Sequence, residues 1–276
     1  YVANAGSNDV SAYTINPSTG ALTSVGVVAA GNGPHSVTVD PSGRFAYVGN
    51  LNSNDVSAYT IHPSTGALTS VGATVGAGDG PVSVSVDPSG RFAYVANYNS
   101  DNVSAYTINP ITGVLTSVGV VAAGDGPQTV TVDPSGKFAY VVNFISDNVS
   151  AYTINPSTGV LTSVSTVAAG DGPESVTVDP SGRFAYVANA LSDNVSAYTI
   201  HLSTGALTSV GTVAAGDGPQ SVSVDPSGRF AYVANYNSDN VSAYTINPST
   251  GVLTSVGAAV AAGDGPQSVS TTGTIE

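Results

Sequence analysis

Apolar residues alternate with Ser and Thr in short runs along the whole chain, and no run has the length or the spacing of a helix. Four runs recur in a fixed order. In one copy they read Ser36-Val-Thr-Val39, Phe45-Ala-Tyr-Val48, Val56-Ser-Ala-Tyr-Thr-Ile61 and Leu68-Thr-Ser-Val-Gly72 with its continuation. Their richness in Val, Thr, Tyr, Phe and Ile and their two-residue period predict four short, half-buried β-strands.

The connections carry turn chemistry. Asp40-Pro-Ser-Gly43 joins strands one and two, with Asp, Pro and Gly where a type I turn prefers them. Ser-Asn-Asp or Ser-Asp-Asn joins two and three, Asn-Pro-Ser-Thr-Gly joins three and four, and Ala-Gly-Asp-Gly-Pro leads to the next copy. The motif Tyr-Val-x-Asn falls at Tyr1, Tyr47, Tyr94, Tyr140, Tyr186 and Tyr232, a period of 46 with one step of 47, so six copies account for all 276 residues. Four antiparallel strands repeated at this interval predict an all-β fold, a six-bladed β-propeller forming a single domain over residues 1–276. The chain opens on strand two and finishes on an orphan strand one, Gln267–Thr272, which is expected to close the ring by pairing with the N-terminal strands. A solenoid that does not close is the alternative. An opening inside a repeat, with no methionine anywhere, fits a processed or excised product.

Charge changes the picture. Only 8 % of residues are charged, so Ser, Thr, Asn and Gly must cover the surface. With 18 acidic and 5 basic residues the net charge is −13, which argues against nucleic acid or an anionic membrane as partner. No apolar run approaches a membrane span, so direct insertion is not expected. There are no cysteines, which excludes disulfides and thiolate metal sites.

Copies of the form GP-x-SVxVDPSGRFAYVAN followed by DNVSAYTINPSTGxLT resemble the YVTN-repeat surface propellers and the related lactonase-like, 6-phosphogluconolactonase-like propellers, and the chain looks like a surface-layer-type member. The resemblance spans the whole chain and implies the fold far more specifically than the function, because this scaffold hosts enzymes, binding modules and surface-layer proteins. Phosphogluconolactonase-like members carry a His in a Pro-His segment, which His35 matches. They also tend to carry Arg-His after a later Gly-Pro and Glu after Tyr-Val-x-Asn. Here no Gly-Pro is followed by Arg, and Ala5, Leu51, Tyr98, Phe144, Ala190 and Tyr236 stand after Tyr-Val-x-Asn. A lactone hydrolase needs a positioned base and a positive group for the developing oxyanion. The only Lys and Arg side chains are Arg44, Arg91, Lys137, Arg183 and Arg229, all beside the Asp-Pro-Ser-Gly turn.

Loop order places those cations on one face of a propeller, next to Asp40, Asp87, Asp133, Asp179 and Asp225. The opposite face collects Asp9, Asp55, Asp101, Asp147, Asp193 and Asp239, the Gly-Asp-Gly residues Asp79, Asp125, Asp171, Asp217 and Asp264, and Glu174, with no Lys or Arg. On this acidic face the residue after Gly-Pro varies while its surroundings are copied, reading His35, Val82, Gln128, Glu174, Gln220 and Gln267. These are the candidate binding residues at the mouth of a central channel, and Leu51, Tyr98, Phe144 and Tyr236 form a candidate rim that can stack on sugars. His35 and Glu174 are expected nearly opposite each other, too far apart for an acid–base pair, so no residue is assigned as catalytic. His62 and His201 replace Asn in Asn-Pro-Ser-Thr-Gly and read as exposed turn residues. The five Gly-Asp-Gly carboxylates are a candidate Ca²⁺ ring, although no cofactor is required. Asn102, Asn148, Asn194 and Asn240 lie in N-glycosylation sequons.

The resulting expectation is a non-enzymatic extracellular or cell-surface module with structural, adhesive or binding roles, its partners other surface proteins, glycans or further copies of itself. The alternative is a lactonase-like hydrolase working at the channel mouth around His35 and Glu174.

Overall fold

The computed structural model describes residues 1–271, and they contain strands and turns with no helix. Six antiparallel sheets follow one another among the described residues. Sheet 3 is representative, with Pro81–Val86, Phe92–Asn97, Asn102–Ile108 and Leu115–Ala122 paired in chain order. Sheets 2, 4, 5 and 6 begin at Pro34, Pro127, Pro173 and Pro219, each with the same order. The chain divides into two compact units. The first holds sheets 1 to 3 (Tyr1–Ala122) and the segment Asn155–Leu161, and the second holds Ala123–Ile154 and the residues from Thr162 onward.

Each first hairpin is fixed by its Asp. Oδ1 of Asp87 accepts the amide hydrogens of Arg91 at 2.7 Å and Phe92 at 2.7 Å, and Oδ2 accepts the amide of Ser89 at 3.1 Å and also its hydroxyl. Asp40, Asp133, Asp179 and Asp225 repeat the arrangement. One carboxylate thus satisfies the orphan donors of a tight turn and locks the strand register behind it. At Asp40 and Asp225 burial opposes ionisation, but the hydrogen bonds from serine and backbone outweigh it and hold the carboxyl below its ordinary value.

The core lies between successive sheets. In the first unit Phe45, Tyr47, Val56 and Ala58 of sheet 2 pack on Val84, Val95, Tyr106, Ile108 and Leu115 of sheet 3. Fully burying a Val, Leu, Ile or Phe side chain contributes about 1.5–3 kcal/mol relative to leaving it in water. Tyrosines pin the layers with directed bonds. The Tyr47 hydroxyl donates forward to the Gly113 carbonyl at 3.0 Å, and the Tyr106 hydroxyl donates back to the Gly76 carbonyl at 2.8 Å. Burial pushes the phenols of Tyr47, Tyr94, Tyr140 and Tyr186 above their ordinary value, and the charges of Asp40, Asp87, Asp133 and Asp179 add to it.

Two expectations need correction. The fourth strand is continuous in sheets 1, 3, 4 and 5 but broken in sheet 2 (Leu68–Ser70, Val75–Gly76) and sheet 6 (Leu253–Ser255, Val260–Ala261). Both copies carry one extra residue after Gly72 or Gly257, and these glycines stand at φ 71° and 69° where Gly26, Gly119 and Gly211 of continuous strands stand at 127–146°. The second correction concerns ring closure. Among the described residues sheet 1 has three strands, Val2–Asn4, Asp9–Ile15 and Leu22–Ala29, and Gln267–Thr271 forms no strand; Thr272 lies outside the described residues. This segment runs instead along the first strand of sheet 6, through Val269 N–H to Ser221 Oγ at 3.3 Å and Thr271 Oγ1 to the Val224 carbonyl at 2.9 Å. Its copy lacks the Asp-Pro-Ser-Gly turn that fixes a first strand in register elsewhere.

Candidate active site at the bulged strand starts

Within each unit the first strands of neighbouring sheets lie side by side. The residue after Gly-Pro sits where pairing with the second strand slips by one residue, between Pro34 and Ser36, Pro127 and Thr129, Pro173 and Ser175, and Pro219 and Ser221. Sheet 3 has the same slip, which leaves Val82 unpaired. The variable position is therefore a β-bulge, a device that re-aims one side chain out of the ladder.

What these side chains touch differs by sheet. In the first unit His35 is exposed, with Nδ1 at 2.9 Å from the Val82 carbonyl, and Val82 itself is buried. In the second unit Gln128 Nε2 donates to Glu174 Oε2 at 2.7 Å, and Thr129 Oγ1 donates to the Glu174 carbonyl at 2.6 Å. Gln220 follows on the next first strand, half-buried. The second unit thus lines up amide, carboxylate and amide on three adjacent strands, a constellation the sequence spaces 46 residues apart. Gln267 is exposed.

The rim residues are tied down through their backbones. The amides of Leu51, Tyr98, Phe144 and Tyr236 donate to the carbonyls of Gly33, Gly80, Gly126 and Gly218 at 2.8–2.9 Å. Tyr236 is 42 % exposed and packs against Gly265, as Phe144 packs against Gly172.

The acidic loops are more structural than the sequence implied. Asn8, Asn54, Asp101, Asp147, Asp193 and Asp239 adopt a left-handed conformation at the two-to-three turn, with φ of 51–57°. Oδ1 of Asp147, Asp193 and Asp239 accepts the amide of Gly172, Gly218 and Gly265 at 2.7–2.8 Å, which ties each turn to the loop after its own sheet. Asp9 and Asp55 accept from Asn4 and Asn50 at 2.7 Å. Of the candidate calcium ligands, Asp79 accepts from Asn54 Nδ2 at 3.0 Å, and Asp125, Asp171, Asp217 and Asp264 are exposed. Among the described residues no three His, Asp or Glu side chains converge as metal ligands. The sequon residues Asn102, Asn148, Asn194 and Asn240 are half-buried, and each donates its Nδ2 to a serine carbonyl at 2.9–3.0 Å. His62 and His201 are exposed turn residues.

Two features had no reading in the sequence. The Asn of Tyr-Val-x-Asn is fully buried in sheets 2 to 6: Asn97 Nδ2 donates to Asn102 Oδ1 at 2.8 Å and Ser104 Oγ at 2.9 Å. Its Oδ1 has no partner, and neither has that of Asn50, Asn143, Asn189 or Asn235. The second is a cleft of about 510 Å³ in the second unit, lined among others by Asp179, Arg183, Phe184, Arg229, Phe230 and Thr245. It opens beside the Asp-Pro-Ser-Gly turns of sheets 5 and 6.

The comparisons with known proteins agree with this layout. The model of the lactonase family, described as a seven-bladed β-propeller, matches residues 1–85, 78–178 and 171–270. Among the described residues there are six sheets where that description has seven blades. Candidate 6-phosphogluconolactonases from Bacteroides fragilis and Bacteroides uniformis are similar in structure, with TM-scores of 0.83 and 0.85 at 23 % and 21 % identity, over 94 % of this chain and 79 % and 80 % of theirs. The periplasmic gluconolactonase of Pseudomonas aeruginosa is similar at a TM-score of 0.59 and 21 % identity, over 92 % of both chains. These likenesses carry the fold. No curated protein sequence matches. With the family model spanning nearly the whole length, the chain belongs to the lactonase β-propeller family.

Proposed function

We propose that this protein is a lactonase-type hydrolase of sugar lactones, working at the bulged starts of the first strands in the second unit. The observation that carries the reading is Glu174, a carboxylate on a bulge and bonded to Gln128 at 2.7 Å. A carboxylate held in this way can take a proton from water. The hydroxide attacks the lactone carbonyl, and the carbonyl electrons move onto oxygen, where the amide of Gln220 can donate to them. Collapse of the tetrahedral species breaks the ring C–O bond, and the proton from Glu174 passes to the departing ring oxygen. The product is the open hydroxy acid. The polar ring of a sugar lactone suits a site built from amides and serine and threonine hydroxyls.

A second reading is a non-enzymatic binding module at the cell surface, with sugars or surface proteins as partners. It is favoured by the position of the cations, since all five Lys and Arg lie beside the Asp-Pro-Ser-Gly turns, at the other end of the first strand from Glu174. A panel of sugar lactones assayed with wild type, Glu174→Gln and His35→Ala separates the two. Hydrolysis lost in Glu174→Gln and kept in His35→Ala supports the first reading. Saturable binding of sugars without turnover supports the second and removes the first.

A further inference from the structure

The second residue after Tyr-Val-x-Asn divides the sheets into two kinds. In sheets 2, 3 and 6 it is Asn52, Asn99 or Asn237, an exposed residue whose amide lies over the glycine of Gly-Pro. A Cβ built on Gly33, Gly80 or Gly218 would meet that Nδ2 at 2.5–2.6 Å. In sheets 4 and 5 the same position is Ile145 and Leu191, and these side chains are 58 % and 67 % exposed.

Both aliphatic residues stand at the Gln128–Glu174 pair. The Ile145 amide donates to the Asp125 carbonyl at 3.1 Å, three residues before Gln128, and the Leu191 amide donates to the Asp171 carbonyl at 3.1 Å, three residues before Glu174. Phe144, beside Ile145 in the chain, completes the apolar surface. A Cβ built on Gly172 would meet Leu191 Cγ at 2.6 Å and Phe144 Cε2 at 3.1 Å, so a side chain from sheet 5 and a ring from sheet 4 converge over this glycine. Gly172 is two residues from Glu174, a reach of at most about 7 Å. The bond from Gln128 to Glu174 bridges the same two sheets. A polar pair and an apolar platform therefore share one boundary within the second unit.

Water gains nothing from exposed Ile and Leu where Asn serves the same loop elsewhere. Aliphatic side chains left open beside convergent polar groups are the usual lining of a ligand site. We propose that Phe144, Ile145 and Leu191 bind an apolar arm of the substrate, so that the lactone taken at Glu174 carries an alkyl or acyl chain on its sugar ring. This rests on the hydrolase reading for the ring and adds the chain. A neutral arm also passes the exposed carboxylates of Asp125 and Asp171 without the repulsion that an anionic substituent meets.

Titration calorimetry with methyl, butyl, hexyl and octyl glucosides, each below its micelle concentration, reads the platform without any turnover. Affinity is expected to rise by about three- to fourfold for each methylene that becomes buried. Leu191→Asn and Ile145→Asn install the residue that sheets 2, 3 and 6 carry at this position, so the loop keeps a side chain it already accommodates. Each is expected to flatten the rise, and the double variant to remove it. Ile111→Ser, the same kind of loss at an 84 % exposed turn residue away from the site, is expected to leave the rise in place.

Kinetics with gluconolactone and its alkyl ethers separate this inference from the reading beneath it. A kcat/KM that climbs with chain length in wild type and not in the double variant supports both. Chain-dependent binding with no turnover of any lactone removes the hydrolase and supports the apolar site. Glucoside affinity independent of chain length overturns the inference whether or not lactones are hydrolysed, as does a rise that survives the double substitution.

Discussion

Gly159→Ala tests the packing that joins one sheet to the next. Gly159 has φ +75°, and a Cβ there would overlap Phe92 Cδ1 and lie 2.8 and 2.9 Å from Cε1 and Cγ of the same buried ring. The left-handed conformation costs an alanine about 1–2 kcal/mol. Forcing the ring aside costs a further 1–3 kcal/mol, roughly, as overpacking of a filled core does. Gly66 supplies the internal control. It closes the same kind of turn at φ +71°, but its added Cβ would meet only the Tyr1 hydroxyl at 3.6 Å. Gly66→Ala should therefore lose only the conformational part, and the difference between the two variants, about 1–3 kcal/mol, isolates the contact with the Phe92 ring. Urea unfolding followed by tyrosine fluorescence measures both, since the chain has no tryptophan. Equal losses, or a larger loss at Gly66, would refute the account.

Two predictions concern pH. Hydrogen bonds hold the carboxyls of Asp40 and Asp225 below their ordinary value, so the stability they add is complete above a pH of about 4 and drains as pH falls below it. Urea midpoints should fall through that window, and Asp40→Ala should flatten the slope; an unchanged slope in the variant removes Asp40 from the explanation. At the alkaline end the raised phenols of Tyr47, Tyr94, Tyr140 and Tyr186 contribute stability that is complete below a pH of about 10 and is lost as pH climbs beyond it. Phenolate absorbance should show these groups ionising together with the loss of circular dichroism, and reversible ionisation of all 14 tyrosines in the folded protein would contradict this.

The sheets were legible because every copy repeats the same strand and turn chemistry, and Asp40 or Asp87 could be placed in its turn from spacing alone. The candidate site was only half legible. Variation after Gly-Pro marked His35, Gln128 and Glu174, but the bulge that turns them out of the ladder depends on how Pro34 or Pro127 pairs with an Asn in the second strand. Nor could spacing reveal that Gln128 and Glu174 touch, since that contact arises from the lateral approach of two sheets. The error at Gln267–Thr271 has a local origin. Its first residues copy the other first strands, yet without the Asp carboxylate nothing fixes the register behind them. Arg183 and Arg229 were read as surface charge. Only packing reveals that both guanidiniums border a cleft and that Arg183 is also bonded to a neighbouring turn.

The broken fourth strands of sheets 2 and 6 bear on how such a chain finds its topology. Adjacent repeats this alike invite strand exchange during folding, and misassembly between similar units is a recognised failure of repeat proteins. Leu115–Ala122 would ladder against Asn148–Ile154 nearly as well as against its own partner, Asn102–Ile108, because the partner strands are identical in sequence. A fourth strand interrupted at Gly72 or Gly257 cannot take the place of a continuous one without losing the pairs beyond the break. Two single-residue insertions thus act as address labels, giving a nearly periodic chain fixed points from which to count.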